Sequence, residues 1–224
     1  MNNGTLYIIA TPIGNLEDIT LRALRILKEV DLIACEDTRV TSKLLSHYNI
    51  SKSLLSLHQH SAQNQLEKIM AELKAGKNVA YASDAGTPGV SDPGNQLVAI
   101  AIENNISVVP IPGVSALATL VSVAGIDMQQ FVFLGFPPHK KGRETFFKKV
   151  LAAEDPVVYY DSPHRVLKNL ELLKELGSAK RVIIGREMTK MFEEIVRGDI
   201  MEIEKYFQDH PEKLKGEFSV AIHS

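Results

Sequence analysis

Residues suited to ligand binding cluster where a predicted strand ends. The stretch Ala82–Gly94 follows the short apolar run 79–82 and holds three glycines, two prolines and two aspartates. This composition is incompatible with a strand or a helix interior, and glycine lets the main chain approach a bound molecule closely. Because open α/β sheets bind ligands at the carboxyl ends of their strands, the stretch is predicted to be a ligand-binding loop rather than an ordinary surface turn.

Other polar or glycine-rich segments also follow predicted strands, and in a parallel sheet they would line one cleft. The segments are 11–15, 36–39, 83–92, 112–116, 161–165 and 186–190. Each segment alone could simply cap a helix or make a turn. Their joint position at strand ends favours a binding cleft.

Several familiar catalytic motifs are missing from the sequence. There is no G-x-x-x-x-G-K-[ST] phosphate loop and no G-x-G-x-x-G after the first strand, which weakens ATP and NAD binding as hypotheses. There is no G-x-S-x-G turn of the kind that carries a nucleophilic serine. His58 and His60 alternate without a third ligand at recognisable spacing, so no metal site is predicted.

Strand-like and helix-like runs alternate through the first half of the chain, which predicts an α/β fold with a parallel sheet and right-handed crossovers. Asp18 stands where it would cap the first helix. The predicted strands of this half are 6–10, 31–35, 53–57, 79–82 and 107–111.

The second half is less regular, and its pattern indicates a mixed sheet. Its predicted strands are 131–134, 156–160, 181–185, 195–200 and 216–222. Ser162 and Pro163 are predicted to cap and open a helix there. The segment Pro110–Gly113 ends the regular half, so the predicted organisation is an N-terminal α/β lobe, 1–112, and a C-terminal α/β lobe, 113–224.

Composition narrows the class of protein further. The chain has 224 residues and a formal net charge of −2, which excludes a uniformly basic nucleic-acid binder but permits a local basic patch. Cys35 is the only cysteine, so neither an internal disulfide nor a cysteine-based zinc site is possible. No apolar stretch is long enough to span a bilayer, and the expected location is cytoplasmic.

Five ordered motifs resemble the bacterial small-subunit (16S) ribosomal RNA cytidine 2′-O-methyltransferase family, within the tetrapyrrole-methylase superfamily. The resemblance runs from about Thr5 to Ser224, although members of that family usually carry a further C-terminal segment. The segment 186–194 fits the family as well. The motifs are Ala10–Leu16, Glu36–Arg39, Ser83–Pro88, Pro112–Ala116 and Tyr160–Arg165.

The resemblance implies a two-lobed tetrapyrrole-methylase-like fold, with S-adenosylmethionine held between the lobes largely by main-chain groups. Asp84 is then a candidate partner for the cofactor's amino group, or else the first residue of an Asx turn. The implied cofactor-binding residues are Pro12, Ser83, Asp84, Thr87, Ser115, Ala116, Tyr160 and Gly185.

The implied reaction is in-line displacement of the sulfonium methyl by a ribose 2′-hydroxyl, which needs no metal. Glu36, Asp37 and Glu187 are the candidate bases. The candidate charge stabilisers are Arg39, Arg186 and Lys190. Glu36, Asp37 and Arg39 could instead form a structural ion pair in a loop.

The implied partner is the small ribosomal subunit, with a cytidine in its decoding region as the target and a homodimer as the expected state. Candidate phosphate contacts are Lys43, Lys140, Lys141, Arg143 and Arg165, although 140–143 could simply be a solvated helix start. One alternative is a sister methyltransferase acting on a tetrapyrrole, a corrinoid or a diphthamide precursor, which motifs 36–39 and 161–165 argue against. Another is a non-catalytic cofactor-binding or RNA-binding module.

Overall fold

The computed structural model describes residues 3–57, 62–90, 92 and 94–224. The chain divides into two compact units, which we call unit 1 (residues 1–115) and unit 2 (residues 116–224). Each unit is built on its own five-stranded sheet. No helix in the described part of the chain has the length and apolar character needed to cross a membrane.

Unit 1 has a sheet in the order β3-β2-β4-β1-β5, in which every neighbouring pair is parallel. Its strands are β1 (Thr5–Ile9), β2 (Leu32–Cys35), β3 (Leu54–Ser56), β4 (Val79–Ala82) and β5 (Ser107–Ile111). Its helices are α1 (Leu21–Glu29), α2 (Thr38–His47), α3 (Ala62–Lys74) and α4 (Gly94–Glu103). The predicted parallel sheet is therefore confirmed.

Both faces of this sheet are covered, which explains why its strands are apolar on both sides. All four residues of β4 are buried. Ala80 and Ala82 pack in one cluster with α1 and α2, while Val79 and Tyr81 pack in another with α3 and α4. This layering leaves the carboxyl ends of the strands at an edge from which loops emerge.

The start of α1 differs from the sequence-based prediction. Asp18 does not cap this helix, because it belongs to a short 3₁₀ turn, Leu16–Asp18. Thr20 is the capping residue, and its Oγ1 accepts a hydrogen bond from the Ala23 N–H at 3.1 Å. Thr20 directly precedes the first helical residue, so its hydroxyl is the group placed to cap the helix.

Unit 2 has a mixed sheet in the order β6-β7-β10-β8-β9, as predicted. Only the β6–β7 pair is parallel. Its strands are β6 (Val132–Phe133), β7 (Val157–Asp161), β8 (Arg181–Arg186), β9 (Glu194–Asp199) and β10 (Phe218–His223). Its helices are α5 (Ala116–Val123), α6 (Arg143–Ala152), α7 (Val166–Glu175) and α8 (Ile200–Asp209).

Helices α6, α7 and α8 pack on one face of this sheet, and α5 packs on the other. The prediction for the start of α7 is wrong. This helix begins at Val166, and the Ser162 hydroxyl accepts a hydrogen bond from Nε of Arg165 at 3.0 Å instead of capping main-chain N–H groups. A tertiary contact thus takes the hydroxyl that local sequence would assign to a cap.

Candidate functional site

The loops that follow β1 and β4 are joined directly at the carboxyl edge of the unit 1 sheet. Thr11 and Gly86 exchange two main-chain hydrogen bonds, each of 3.0 Å. The Thr11 hydroxyl donates to the carbonyl oxygen of Ser83 at 3.0 Å, and the Ser83 hydroxyl donates to that of Gly86 at 2.6 Å. Thr11 and Ser83 are both buried, so their hydroxyl groups stabilise the two loops through internal hydrogen bonds.

Carboxylates join β2 to β4 at the same edge. Oε1 of Glu36 accepts the Asp84 main-chain N–H at 3.1 Å, and Oδ1 of Asp84 accepts the Asp37 N–H at 2.9 Å. Burial raises the pKa of the Cys35 thiol, and the negative charges of Asp84, Asp37 and Glu36 raise it further. The end of β2 therefore concentrates negative charge from three side chains that adjacent strands bring together.

Asp37 and Arg39 form an ion pair at the start of α2. Asp37 caps this helix by accepting the Arg39 N–H at 2.8 Å, and its other oxygen lies 2.6 Å from the Arg39 guanidinium. The Arg39 side chain is 86% exposed. The Asp37 carboxylate thus supports the helix start, which is the structural role considered above.

A pocket of about 340 Å³ opens between the 11–16 loop and α2. It gathers four of the predicted site residues, Pro12, Lys43, Ser83 and Asp84. The other lining residues are Thr11, Ile13, Gly14, Leu16, Val40, Thr41, Leu44 and Ala85. Its volume lies within the usual range for small-ligand pockets.

Thr87 and Ser115 lie elsewhere in unit 1. The Thr87 hydroxyl donates to the carbonyl oxygen of Val114 at 2.8 Å, which ties the loop after β4 to the loop after β5. Ser115 is the last residue of unit 1. Both lie outside the 340 Å³ pocket.

Asp92 organises the loop after β4, and sequence reasoning missed this role. Its carboxylate accepts the Gly89 N–H at 2.6 Å, the Gly94 N–H at 2.8 Å and the Tyr81 hydroxyl at 3.3 Å. Burial raises the pKa of Tyr81 above its ordinary value, and the charge of Asp92 adds to the effect. The signal was the spacing of Asp92 from the two glycines, which is typical of a side chain that closes a turn.

Tyr160 and Gly185 lie in one row across the unit 2 sheet. Both are register partners of Ser219, on either side of β10. The Tyr160 hydroxyl accepts the Leu117 N–H of α5 at 3.2 Å. A side chain at position 185 would lie 2.6 Å from the Met188 sulfur and 3.0 Å from a Leu120 methyl, so these side chains would have to move to admit a larger residue than Gly185.

Ala116 is the first residue of α5, the helix that packs on the same face as this row. Ser219 is buried between the two predicted cofactor residues of the sheet. Sequence reasoning missed Ser219 because only strand register places it there.

Glu187 and Lys190 face each other in a turn after β8. Their side chains lie 2.8 Å apart, and Lys190 also lies 3.1 Å from the carboxylate of Glu217. Partial burial acts to raise the pKa of Glu187, but the Lys190 contact and the Glu217 N–H hold it below its ordinary value. Burial acts to lower the pKa of Lys190, but the two carboxylates hold it above its ordinary value.

Arg186 is a structural residue in this geometry. It is buried, and its guanidinium donates to the carbonyl oxygens of Lys213 at 2.5 Å, Lys215 at 3.2 Å and Phe192 at 3.0 Å. These bonds occupy two of the three guanidinium nitrogens, Nε and Nη1, that a charge stabiliser would direct at a substrate.

The candidate phosphate contacts fall in different units. Lys43 lies in unit 1, whereas the other four lie in unit 2 near the start of α6 and α7. Lys140 and Lys141 are exposed. Arg143 donates to the carbonyl oxygen of Lys168 at 3.2 Å, and Arg165 donates to that of Pro137 at 2.8 Å.

His58 and His60 lie outside the described residues. Within the described ranges, no group of three or more potential metal-ligating side chains occurs.

Comparison with known proteins identifies the family. The chain is 45% identical to the ribosomal RNA small subunit methyltransferase I of Borrelia garinii subsp. bavariensis over 97% of each protein. The chain belongs to the ribosomal RNA small subunit methyltransferase I family. The enzyme of the same name from Escherichia coli O157:H7 is 43% identical over 99% of this chain and 78% of its own length.

The wider family is also shown, because residues 5–204 match the model described as Tetrapyrrole (Corrin/Porphyrin) Methylases. Among solved structures, a diphthine synthase has a TM-score of 0.77 at 12% identity, covering 98% of this chain and 90% of its own. A cobalt precorrin-4 methyltransferase has a TM-score of 0.69 at 15% identity, covering 98% and 94%. These two similarities establish the fold, and the family predicted from the motifs is confirmed.

The protein is therefore a methyltransferase whose methyl donor is S-adenosylmethionine. The residues at the unit 1 edge fit such a donor. Its sulfonium and ammonium groups are cationic, and Glu36 and Asp84 supply carboxylates. Gly86 has a φ of +81°, and a side chain there would lie 3.2 Å from Ile13 and 3.6 Å from the Val114 carbonyl oxygen. The loops after β1 and β4 thus meet through main-chain groups, and the loop after β5 joins them at the Val114 carbonyl oxygen, so main-chain groups lie where a ligand can approach them closely.

Proposed function

We propose that the protein transfers the methyl group of S-adenosylmethionine to the 2′-hydroxyl of a cytidine ribose in the decoding region of small-subunit (16S) ribosomal RNA. The observation that carries this proposal is the identity of 41–45% over nearly the whole chain to proteins named ribosomal RNA small subunit methyltransferase I. The choice of cytidine as the target and of the 2′-oxygen as the methyl acceptor rests on the resemblance of the ordered motifs to the family named above. The proposed partner is the small ribosomal subunit, and the proposed state is a homodimer.

The residues proposed to contact the donor are those that the family resemblance implies. Asp84 is the proposed partner of its ammonium group, because Glu36 and Asp37 hold the Asp84 loop at the charged end of β2. The proposed contacts are Pro12, Ser83, Asp84, Thr87 and Ser115 in unit 1, and Ala116, Tyr160 and Gly185 in unit 2. Since the Ser83 and Thr87 hydroxyls donate to internal carbonyl oxygens, these residues present main-chain groups to the donor.

The reaction is a single displacement. A bond forms between the 2′-oxygen and the methyl carbon while the bond between sulfur and that carbon breaks. The hydroxyl proton passes to a carboxylate, and the products are a 2′-O-methyl ribose and S-adenosylhomocysteine. The bound donor supplies an activated methyl group, so the protein must align three atoms and remove one proton.

Glu36 is the proposed base. Glu187 is a weaker base, because the Lys190 contact holds its pKa below the ordinary range. Asp37 already caps α2 and pairs with Arg39, which makes these two residues positioning groups for the α2 start. The positive charge of Lys190 is maintained by its carboxylate partners, and its proposed role is to stabilise negative charge on the acceptor.

The remaining candidates are assigned to the RNA backbone. Lys140 and Lys141 are exposed and precede α6, where they would contact phosphates without reading sequence. Arg143 and Arg165 use part of their hydrogen-bonding capacity on protein carbonyl oxygens, so we propose that they contribute charge near these lysines.

Labelled methyl transfer to small subunits that lack the modification tests the proposal. The full chain should label a single cytidine, and alkaline hydrolysis should leave the labelled linkage intact because its 2′-oxygen is blocked. Labelling of a base, labelling of a tetrapyrrole instead of RNA, or cofactor binding without any transfer to subunits at any stage of assembly would each overturn it.

Two variants separate the assigned roles. Glu36→Gln keeps an acceptor for the Asp84 N–H, and it should lower the transfer rate by roughly 10²–10⁴-fold with little change in donor affinity. Asp84→Ala should weaken donor binding itself. Asp155→Ala, at an exposed position in unit 2, is the matched control and should behave as wild type. Wild-type donor affinity in Asp84→Ala would contradict the ammonium assignment.

A further inference from the structure

The pocket in unit 1 has an amphipathic lining that the donor assignment leaves partly unexplained. Its polar side includes Ser83 and Asp84 from the loop after β4. Its apolar side includes Leu16 and Val40, which remain 37% and 41% exposed although both are large apolar side chains. Exposed apolar side chains beside a polar cavity are more typical of a ligand-binding site than of surface that faces only solvent.

One face of α2 supplies the wall opposite the 11–16 loop. Val40, Lys43 and Leu44 stand at helical spacings of three and four, so they share a face, and all three line the pocket. Lys43 is exposed and pairs with no carboxylate in the described part of the chain. A single cationic group therefore stands beside an apolar surface at the pocket wall.

Thr41 belongs to the same wall. The residue is 2% exposed, and it lines the pocket. Its hydroxyl faces the Cys35 thiol, a weak hydrogen-bonding group, and has no stronger partner among the residues described. This hydroxyl is closed off from solvent, so Thr41 supports the wall and does not offer a polar group to a ligand.

We propose that this pocket receives one nucleotide of the RNA acceptor, with the base against Leu16 and Val40, the ribose towards Asp84 and a phosphate at Lys43. This inference rests on the proposed function, and it assigns Leu16 and Val40 to substrate binding. It also places the ribose hydroxyls on the side of the pocket where Asp84 is hydrogen-bonded to the main chain next to Glu36.

The methyl donor also contains a nucleoside, so the features of the pocket that favour an RNA nucleotide over the donor must be named. S-adenosylmethionine has no phosphate, and its one carboxylate is outweighed by its sulfonium and ammonium groups, so its net positive charge disfavours a position beside Lys43. A nucleotide places a negative charge there instead, with a flat base for the apolar wall. The volume of about 340 Å³ lies at the low end for ligand pockets, as expected for one nucleotide taken out of its stack.

Nuclear magnetic resonance on the full chain provides a test that needs no turnover. The side-chain methyl signals of Leu16 and Val40 are followed while cytidine 5′-monophosphate is added in the presence of saturating S-adenosylhomocysteine. Both signals should shift, and cytidine without its phosphate should shift them only at concentrations roughly tenfold higher. Competition between the two ligands, or nucleotide-induced shifts confined to other residues, would overturn the assignment.

Variants then connect the pocket to RNA. Lys43→Gln should reduce the slope of log affinity against log salt concentration for RNA by about one unit, with donor affinity unchanged. Lys28→Gln, at an exposed lysine of α1, is the matched control and should leave the slope as it is. An equal loss of slope in both variants would show that Lys43 has no special position.

Val40→Trp distinguishes this inference from the proposed function. The larger side chain should fill the pocket and lower methyl transfer at least tenfold, while donor affinity and the folded state persist. If wild-type protein fails to label small subunits, the proposed function is wrong. If wild-type protein labels them and Val40→Trp does so at the same rate, the function stands and the pocket assignment is wrong.

Discussion

Replacing Asp161 tests how the burial of a carboxyl group affects the pH dependence of the stability of unit 2. The residue is 3% exposed, and its two carboxylate oxygens accept the Ser162 N–H at 2.8 Å and the Asn169 side-chain N–H at 2.7 Å. Burial raises the pKa of this carboxyl although both hydrogen bonds and the nearby charges of Arg165 and Arg143 act to lower it. The environment as a whole therefore favours the neutral form.

The sign of the pH dependence follows from this raised pKa. The folded protein holds the proton more tightly than the unfolded chain, so the stabilising effect is complete below the ordinary carboxyl value of 3.8. It is lost as pH rises through the raised pKa of the folded state, and each unit of elevation corresponds to about 1.4 kcal/mol. Asp161→Asn removes the charge and keeps the shape, so this loss should disappear.

The free energy of unfolding of Asp161→Asn relative to that of wild type should therefore rise as the pH increases from about 3 to about 7, by about 1.4 kcal/mol for each unit by which burial raises the pKa of Asp161. The side-chain oxygen of Asn169 has no partner at present, so this amide can turn and accept a hydrogen bond from the new side chain. Urea unfolding across this pH range, with hydrogen exchange of β7 and β10 amides to localise the effect, gives the measurement.

Asp155→Asn is the matched control, because Asp155 is exposed in the same unit. Its effect should stay within about 0.5 kcal/mol. A difference between Asp161→Asn and wild type that is the same at every pH would refute the reasoning, because burial would then not govern the protonation of this residue.

Two further predictions concern the main chain around the candidate site. Gly86→Ala should destabilise unit 1 by more than Gly177→Ala destabilises unit 2, since both glycines have a φ of +81° but only the first has a neighbour, Ile13 at 3.2 Å. The left-handed conformation costs about 1–2 kcal/mol in both variants, so equal losses in urea unfolding would show that the Ile13 contact is harmless. Arg186→Lys should cost about 2 kcal/mol or more, because a single ammonium nitrogen cannot reach all three carbonyl oxygens that two separate guanidinium nitrogens contact, and faster proteolysis within residues 187–217 should accompany the loss. Wild-type resistance to protease would argue against the proposed clamp.

The local sequence was sufficient to predict an element when all of its residues are buried. The strand predicted at 79–82 is β4, with the same bounds, because all four of its residues are buried between two helical layers. The expectation that segments following parallel strands lie at one edge of the sheet also holds for Glu36, Asp37 and Asp84, since β2 and β4 are parallel neighbours.

The local sequence was insufficient to predict the role of a side chain whose partner is set by the tertiary structure. The hydroxyl of Ser162 is taken by Arg165, and Ser219 reaches its row only because β10 lies between β7 and β8. The same holds for Arg186, whose charge suggested chemistry but whose partners are carbonyl oxygens far along the chain. Such pairings depend on topology, which no short motif encodes.

The order of strands has a consequence for synthesis of the protein on the ribosome. In unit 1, β1 lies between β4 and β5, so the first strand made has no neighbour until residues 79–82 have emerged and lacks its second neighbour until residues 107–111 have emerged. In unit 2, β10 is the central strand, and β7 and β8 stay unpaired with it until residues 218–223 are available. Each sheet must therefore leave apolar strands exposed while its nascent chain grows, which makes early chaperone contact more valuable for this enzyme than for a protein built from local hairpins.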